Sequence, residues 1–276
     1  MAAASSLVLS PPRPRVVAAI VLRDYAVTRS YRYALVFDFA LAVVDLCVYY
    51  YISKALPGAS AADLDGAPSY FAFVTVGLAV TVVISSASAQ LAQRVREEQL
   101  TGTLEALVTQ PVKASELAFG LGGLPFLLAL VRAAIYLTVA TALLGVSFAG
   151  ADWVGFTVVM MATGAALLGL GIALGAVVLV IKRATVVVTL ASFALGLLGG
   201  AFFPVEVLPD WLQPIAAIVP TRFAFDGLRA ALFTGGGWED DAAALAAIAV
   251  VGLPLALWLF RRALDHCRRT GSLVQY

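Results

Sequence analysis

Charged residues are scarce in this chain of 276 residues. They make up 13% of it, against about 25% in ordinary soluble domains, whereas 62% is hydrophobic and the mean hydropathy is +0.95. The apolar excess extends along the whole chain, so a soluble globular domain is excluded and most of the chain must lie in lipid. The net charge of +1 indicates no general attraction to nucleic acid. We therefore expect membrane lipid as a partner, and no nucleic acid.

Residue types that catalyse reactions or bind metals are also few. Two cysteines, Cys47 and Cys267, and the single His266 provide neither a disulfide framework nor a metal site. The chain lacks a GxxxxGK[ST] loop, which would cradle nucleotide phosphates. We expect no catalytic residue, no metal and no cofactor held by this chain. Two alternative functions remain open, an integral membrane enzyme acting on lipid and a non-transporting structural membrane subunit.

Six apolar runs are long enough to cross a bilayer, which takes about 20 residues per helix. They cover residues 33–53, 69–92, 117–146, 153–181, 184–203 and 242–260. The predicted fold class is an all-α integral membrane protein with six transmembrane helices in a single domain over 13–260. Residues 1–12 are predicted to form a disordered cytoplasmic tail, and residues 261–276 a cytoplasmic basic tail.

The basic residues are distributed unevenly between the two sides of these spans. Fourteen of the 18 Lys and Arg residues fall on one side, which the positive-inside rule assigns to the cytoplasm. This predicts a multi-pass protein of the cytoplasmic (inner) cell membrane with both termini in the cytoplasm. Residues 13–32 place apolar side chains opposite Arg23 and Arg29, which favours an interfacial helix. A cytoplasmic extension of the first span is the alternative, and Asp24 within the apolar arc is unexplained.

The loop between the second and third spans reads RVREEQLTGTLEALVTQPV over residues 94–112. Helical spacing places four apolar side chains on one face, with Thr103 as the start and Pro111 as the end. These four are Leu100, Leu104, Leu107 and Val108. We expect a short cytoplasmic helix whose apolar face needs a protein partner, or, as the alternative, a helix packed on the ends of the chain's own spans.

Prolines interrupt the apolar segment 204–241, so it cannot form one continuous helix. It is predicted to form two short helices, about 209–219 and 221–233, that enter the outer leaflet and return, buried against the spans because exposed irregular backbone is costly in lipid. The function would be that of a lid or exit gate, and the alternative is an amphipathic hairpin on the outer surface. Arg222, Asp226 and Arg229 have the spacing of an ion network on one helix face.

Charges inside the spans are costly and are therefore candidate functional residues. A rise of about 1.5 Å per residue places Asp45 and Arg132 at a similar depth, which predicts an intramembrane ion pair, with a proton or ion relay as the alternative. The polar residues Tyr49, Thr81, Ser85 and Ser88 could line a substrate path. Helix packing and aromatic anchoring at the interface are the alternative roles for them.

Two of these segments carry a family resemblance. The pattern R-x-R-E-E-x-x-T-G-T-L-E-x-L-x-T-x-P-V in the loop resembles that of type-2 ATP-binding-cassette (ABC) exporter permeases. So does the outer pattern formed by FFPVEVLPDWLQP at 202–214, then Pro220, Asp226 and Arg229. The chain departs from the family at residues 99–101, an apparent small insertion before Gly102. That insertion leaves the start of the loop helix uncertain.

The resemblance implies a permease subunit, not an enzyme, that exports a hydrophobic or amphipathic substrate such as a drug, a natural product or a lipid-linked glycan. It implies two copies of a nucleotide-binding subunit that hold ATP and Mg, and a second permease chain in a homodimer or heterodimer. The coupling helix that docks on the ATPase would use Arg96, Glu97, Glu98, Leu100, Thr103, Leu104, Glu105, Leu107 and Val108. The outer re-entrant hairpin would use Pro204, Glu206, Pro209, Trp211, Pro220, Asp226 and Arg229.

Overall fold

The fold was analysed in a computed structural model that describes residues 12–30, 32–55, 64, 66–181 and 184–270. The described residues are mainly helical and contain no strand. The α-helices are α1 (Pro14–Ser30), α2 (Arg32–Ala55), α3 (Tyr70–Ser85), α4 (Leu91–Leu100), α5 (Thr103–Thr109), α6 (Ala114–Leu144), α7 (Trp153–Val180), α8 (Ala184–Leu198), α9 (Gln213–Ala216), α10 (Pro220–Arg229) and α11 (Glu239–Thr270). The all-helical prediction is thus confirmed.

Five helical segments are long and apolar enough to cross a membrane, among the residues described. They are Val36–Ala55, Tyr70–Leu100, Ala114–Leu144, Trp153–Val180 and Glu239–Cys267. In the remaining predicted span, 184–203, only the 15 residues of α8 form a helix. At about 1.5 Å per residue this helix is roughly 22 Å long, shorter than a hydrocarbon layer of about 30 Å. The chain turns at Gly200, whose φ of +90° is left-handed.

The second span is one helix from end to end. A π-helical turn, Ser86–Gln90, joins α3 to α4 without breaking the rod, so this 31-residue segment is about 46 Å long. Of its apolar 18-residue stretch, 83% is buried, compared with 61% or less in the other described spans. A Cβ on Gly171 of α7 would lie 1.8 Å from the carbonyl oxygen of Ala87, so α7 packs directly on the π turn.

The other helices surround this rod. α2, α6, α8 and α10 contact α3, α7 packs along α11, and α1 lies against α6. The bundle therefore has two ends. We call the end with α1, α5 and the last turns of α11 the basic end, and the end with α9 and α10 the hairpin end. Only 11% of the apolar 18-residue stretch of α2 is buried, so most of that helix faces away from the rest of the chain.

One predicted boundary was wrong, and one predicted tail is partly helical. A helix was expected over 209–219, but only the single turn α9 forms, because Pro214 and Pro220 each start a new helix. The predicted basic tail begins with ten residues that continue α11, because Ala263, Leu264 and Cys267 are buried against the bundle. Residues 1–11 and 271–276, which belong to the predicted tails, lie outside the described residues.

Candidate functional sites at the two ends of the bundle

The turn between α4 and α5 depends on a left-handed glycine. Gly102, at φ +74°, is the N-cap of α5, and a Cβ there would meet nothing within 4 Å. The conformation and not the available space therefore requires glycine. Thr103, where the helix was expected to start, is its first residue, and its hydroxyl donates to the carboxylate of Glu98.

Helix α1 holds this turn from the side. The Arg23 guanidinium forms a salt bridge of 2.5 Å to Glu98 and one of 2.7 Å to Asp24. Asp24 is only 6% exposed, so its place in the apolar arc of α1 is explained by this pairing. Glu98 therefore joins α1 to the first residue of α5.

A second charged contact lies just after α5. The buried carboxylate of Glu116 accepts hydrogen bonds from the Arg13 side chain at 2.8 and 2.9 Å, and from the backbone N–H groups of Arg13 and Lys113 at 2.9 Å each. The Arg13 guanidinium also donates to the carbonyl oxygen of Pro111 at 2.5 Å. Bidentate pairing of this kind fixes geometry as well as charge. We call residues 98–111 the α5 segment. Arg23 of α1 and Arg13, which directly precedes α1, thus hold this segment at both ends.

Leu104 and Leu107 of α5 point inward, as in the alternative in which the helix packs on the ends of the chain's own spans. Leu104 is fully buried in a cluster with Ile20, Leu91 and Val95, and Leu107 packs on the same cluster. Periodicity placed Leu104 and Leu107 on one face, which the span ends cover, whereas Leu100 of the same predicted face is exposed. The side chains of Glu105 and Val108 lie outside the described part of the chain.

A different surface of this segment is open. Leu100 is 57% exposed, and Ala106, Thr109 and Gln110 are exposed on the side of α5 away from the core. Charged side chains flank this surface: Glu97 is exposed and pairs with Arg94 at 3.3 Å, and Arg96 is half-buried. This exposed patch is defined by Leu100, Ala106, Thr109 and Gln110, and we call it the α5 outer face.

Polar contacts connect α4 to the ends of two other spans. The buried Gln99 amide donates to the carbonyl oxygen of Leu179 at 3.4 Å, and the Cys267 thiol donates to the same oxygen at 3.3 Å. This carbonyl belongs to the last turn of α7, where no backbone N–H is available to it within the helix. A displacement of α4 would therefore disturb the hydrogen bonds at the Leu179 carbonyl, where α4, α7 and α11 meet.

At the hairpin end, one buried arginine joins three elements. Arg229 is 1% exposed, its guanidinium carbon lies 3.4 Å from the ring centroid of Phe73, and it donates to the carbonyl oxygen of Gly200 at 2.7 Å. These contacts hold α10 against α3 and against the turn after α8. Arg229 thus occupies the core of the hairpin and not its surface.

The other predicted hairpin residues lie around this core. Arg222 pairs with Asp226 at 3.3 Å and lies 3.7 Å from Glu206, and these side chains line a polar cavity of about 50 Å³ together with Arg229. Pro204 precedes a 3₁₀ turn, Val205–Val207, and Pro220 starts α10. Trp211 is 71% exposed and Pro209 is also exposed, so the 209–211 tip faces outward.

The backbone of the hairpin approaches α3 very closely. A Cβ on Gly77 would lie 1.9 Å from the carbonyl oxygen of Ala201. A Cβ on Gly199 would lie 2.4 Å from the Thr221 hydroxyl, which donates to the carbonyl oxygen of Leu195 at 2.5 Å. Only glycine allows these contacts.

Asp152 links the loop between α6 and α7 to the hairpin, which the sequence reasoning missed. Its carboxylate caps α7 through the N–H groups of Val154 and Gly155 at 2.9 and 3.0 Å, and accepts from the Trp238 indole at 3.0 Å. The Gly155 N–H contributes most to lowering the pKa of Asp152, and the Trp238 and Val154 donors act in the same direction. The cap could be read from an aspartate before an apolar run, but its tryptophan partner could not.

The charges within the spans pair differently from the prediction. Arg132 forms a salt bridge of 3.1 Å to Asp38, and Asp45 instead accepts a hydrogen bond of 3.4 Å from the Tyr136 hydroxyl. Side chains on a helix tilt toward its N-terminus, which directs Arg132 toward the basic end, where Asp38 lies. Among the described residues, no three His, Cys, Asp or Glu side chains are grouped so that they could hold a metal ion.

Two of the four proposed path residues form helix contacts. The Ser88 hydroxyl lies 3.0 Å from that of Ser192 on α8, and Thr81 faces Gly196 of α8 at packing distance. Tyr49 stacks on Phe202 at 5.7 Å between ring centroids, which brings α2 to the hairpin. Ser85 is half-buried beside the π turn.

Comparison with known proteins adds one finding. The family model described as ABC-2 type transporter matches residues 16–233, which include nearly all of α1, the α5 segment and the whole hairpin. A comparison with curated protein sequences finds no match.

Proposed function

Since the chain belongs to the ABC-2 type transporter family and is a multi-pass permease component of such a transporter, we propose that it is the permease subunit of an exporter. It moves a hydrophobic or amphipathic substrate, either a drug or natural product or a lipid-linked glycan, across the cytoplasmic membrane. ATP and Mg bind to a separate nucleotide-binding subunit, present in two copies, which supplies the energy. The excess of Lys and Arg at the basic end supports a cytoplasmic position for that end and for both termini.

The observation that carries this proposal is the attachment of the α5 segment at both ends. Arg23 holds it before α5 through Glu98, and Arg13 holds it after α5 through Pro111, so the segment moves together with α1 and α4. A force applied to α5 therefore passes into the rod of α3 and α4 and not into a loose loop. At the far end of that rod, Phe73 contacts Arg229 of the hairpin. We propose that docking of the ATPase on the α5 outer face displaces this rod and opens the hairpin.

Co-purification with the ATPase subunit tests the docking surface. Ala106→Arg places a large cation on the α5 outer face and should lower the retained ATPase about tenfold, which corresponds to about 1.4 kcal/mol. Ala243→Arg makes the same change at an exposed position of α11 near the hairpin end and should leave the amount of retained ATPase unchanged. Unchanged binding by Ala106→Arg would contradict the docking assignment.

We propose further that the exposed face of α2 meets a second permease chain, as a homodimer or heterodimer, and that the substrate passes between the two. Asp38 is 56% exposed although it lies in a spanning helix, and its partner Arg132 is 28% exposed. An ion pair left facing lipid would be costly, so a second chain or a polar path must cover it. The apolar residues Leu41, Val44 and Val48 on the same helix are each at least half exposed.

Cysteine cross-linking tests this interface. In a chain with Cys47 and Cys267 replaced by serine, Leu41→Cys should cross-link two copies in a homodimer. Val250→Cys, on an apolar site of α11 that is 73% exposed, should not. Cross-linking through Val250→Cys in place of Leu41→Cys would move the interface to α11 and contradict the assignment.

A further inference from the structure

A second apolar feature of the bundle does not involve α2. It is an apolar groove of about 640 Å³ between α1, α6 and α7, closed at one point by Leu253 of α11. Its lining includes Val17, Ala18, Phe119, Phe126, Met161 and Leu168. No residue of α2 lines it, so it is separate from the path proposed above.

Glycines on α6 create the groove. A Cβ on Gly120 or Gly123 would lie 2.7 Å from Ile20 or Val21, so these two glycines let α1 approach α6 closely. Gly122 lies between them and faces the groove, and a Cβ there would have no neighbour closer than 3.5 Å, which is ordinary contact distance. The close approach of α1 thus forms one wall of the groove, and Gly122 adds no side chain to its floor.

An exposed arginine lies next to the residues that line the mouth of the groove. Pro12 and Pro14 line it, and Arg15 follows on the exposed first turn of α1. Arg13 also lies there, and its charge is paired with the buried carboxylate of Glu116. That carboxylate therefore does not neutralise Arg15. The first turn of a helix adds positive character of its own. An apolar channel that opens beside an arginine at the membrane surface has the complementarity of an anionic lipid.

We propose that this groove binds one anionic glycerophospholipid, with an acyl chain along α6 and α7 and its phosphate at Arg15. The leaflet follows from the orientation given under the proposed function, which makes it the cytoplasmic one. Along α6, Phe119 and Phe126 are seven residues apart, so the lined channel is about 10 Å deep. The bound lipid would lie in the groove beside α1, α6 and α7 and would support α1 in the position from which it attaches the α5 segment.

Native mass spectrometry of the permease with its ATPase subunit tests this proposal. The complex is taken from nanodiscs of equal palmitoyl-oleoyl phosphatidylglycerol and phosphatidylethanolamine, and retained lipid is counted. The wild type should retain phosphatidylglycerol. Ala18→Phe, which fills the groove, should lower the total at least fivefold, whereas Ala19→Phe, at the neighbouring exposed position outside the lining, should not. Matching thermal unfolding of the two variants shows that folding is intact.

Charge variants separate the headgroup from the chain. Arg15→Gln should lower the ratio of phosphatidylglycerol to phosphatidylethanolamine about fivefold, the ratio expected for one basic residue at an anionic surface, while the total falls less. Arg29→Gln removes the same charge from the exposed last turn of α1 and should leave the ratio unchanged. Equal effects of both charge variants, or retention of lipid by Ala18→Phe, would overturn the site.

Two further outcomes distinguish the alternatives. A several-fold rise in bound lipid on deleting residues 1–11 would mean that the chain's own N-terminus occupies the groove, which also overturns the proposal. The ATPase subunit is counted in the same spectra. Its absence from the wild type would contradict the proposed function while the lipid result stood on its own.

Discussion

At the basic end, charged side chains join α1 to the α5 segment, whereas at the hairpin end one buried arginine and direct backbone approach join α3, α8 and α10. Arg23 and Glu98 are 38% and 13% exposed, so water reaches this pair. Arg229 is 1% exposed, and Gly77 leaves no room for even a methyl group. Loss of one contact should therefore cost less at the basic end than at the hairpin end.

The sharpest test of this difference is the loss of the buried arginine. Arg229→Met removes the donor to Gly200 and the cation over Phe73, and should lower the free energy of unfolding by about 3 kcal/mol. Arg222→Met, at a half-buried arginine on the same helix, should cost about 1 kcal/mol or less. Chemical unfolding of both variants in detergent measures the gap, and similar losses would remove the special position of Arg229.

The backbone contact comes next in size. Gly77→Ala forces a Cβ against the carbonyl oxygen of Ala201 and should cost about 2 kcal/mol, as other overpacked positions do. Gly252→Ala, in α11 with nothing within 4 Å of its Cβ, should be neutral or slightly stabilising. Thermal unfolding of the pair decides the point, and a harmless Gly77→Ala would show that the hairpin is not packed as described.

The charged contact at the basic end should be weaker. Glu98→Gln and Arg23→Gln, combined in a double-mutant cycle, should give a coupling energy of about 1 kcal/mol. The same cycle on the exposed pair of Arg94 and Glu97 should give about 0.3 kcal/mol. A coupling energy for Arg23 and Glu98 as large as the loss in Arg229→Met would erase the contrast between the two ends.

The smallest effect is a pH dependence at Asp152. Its pKa is lowered in the folded state, so its charge stabilises the fold above the ordinary carboxyl pKa of about 4 and this contribution is lost as the pH falls below that value. Asp152→Asn keeps the acceptor oxygen but not the charge. Melting temperatures of wild type and variant from pH 7 to pH 3 should therefore differ at neutral pH and converge in acid. A constant difference would mean that the carboxylate charge contributes nothing.

Particular residues show how far the sequence could predict these sites. Helical spacing identified the apolar face of α5 with Leu104 on it, and the prolines marked the hairpin. Spacing does not show whether a partner protein or the chain's own spans cover an apolar face, so the inward position of Leu104 could not be predicted. Depth counting placed Arg132 near Asp45, but the tilt of the side chain and the offset between helices brought it to Asp38 instead. The arginine over Phe73 joins residues 156 positions apart, which local pattern cannot detect.

Composition and pattern by themselves determined that this chain is helical, membrane-bound and basic at one end, because lipid requires satisfied backbone and apolar surface along every span. They also determined its family resemblance and the segments that carry it. Only the tertiary structure decided which side of α5 is open, which carboxylate pairs with Arg132 and what Arg229 holds. The reason is physical: burial in lipid is a property of each segment alone, whereas each of these contacts depends on the distance between atoms of different helices.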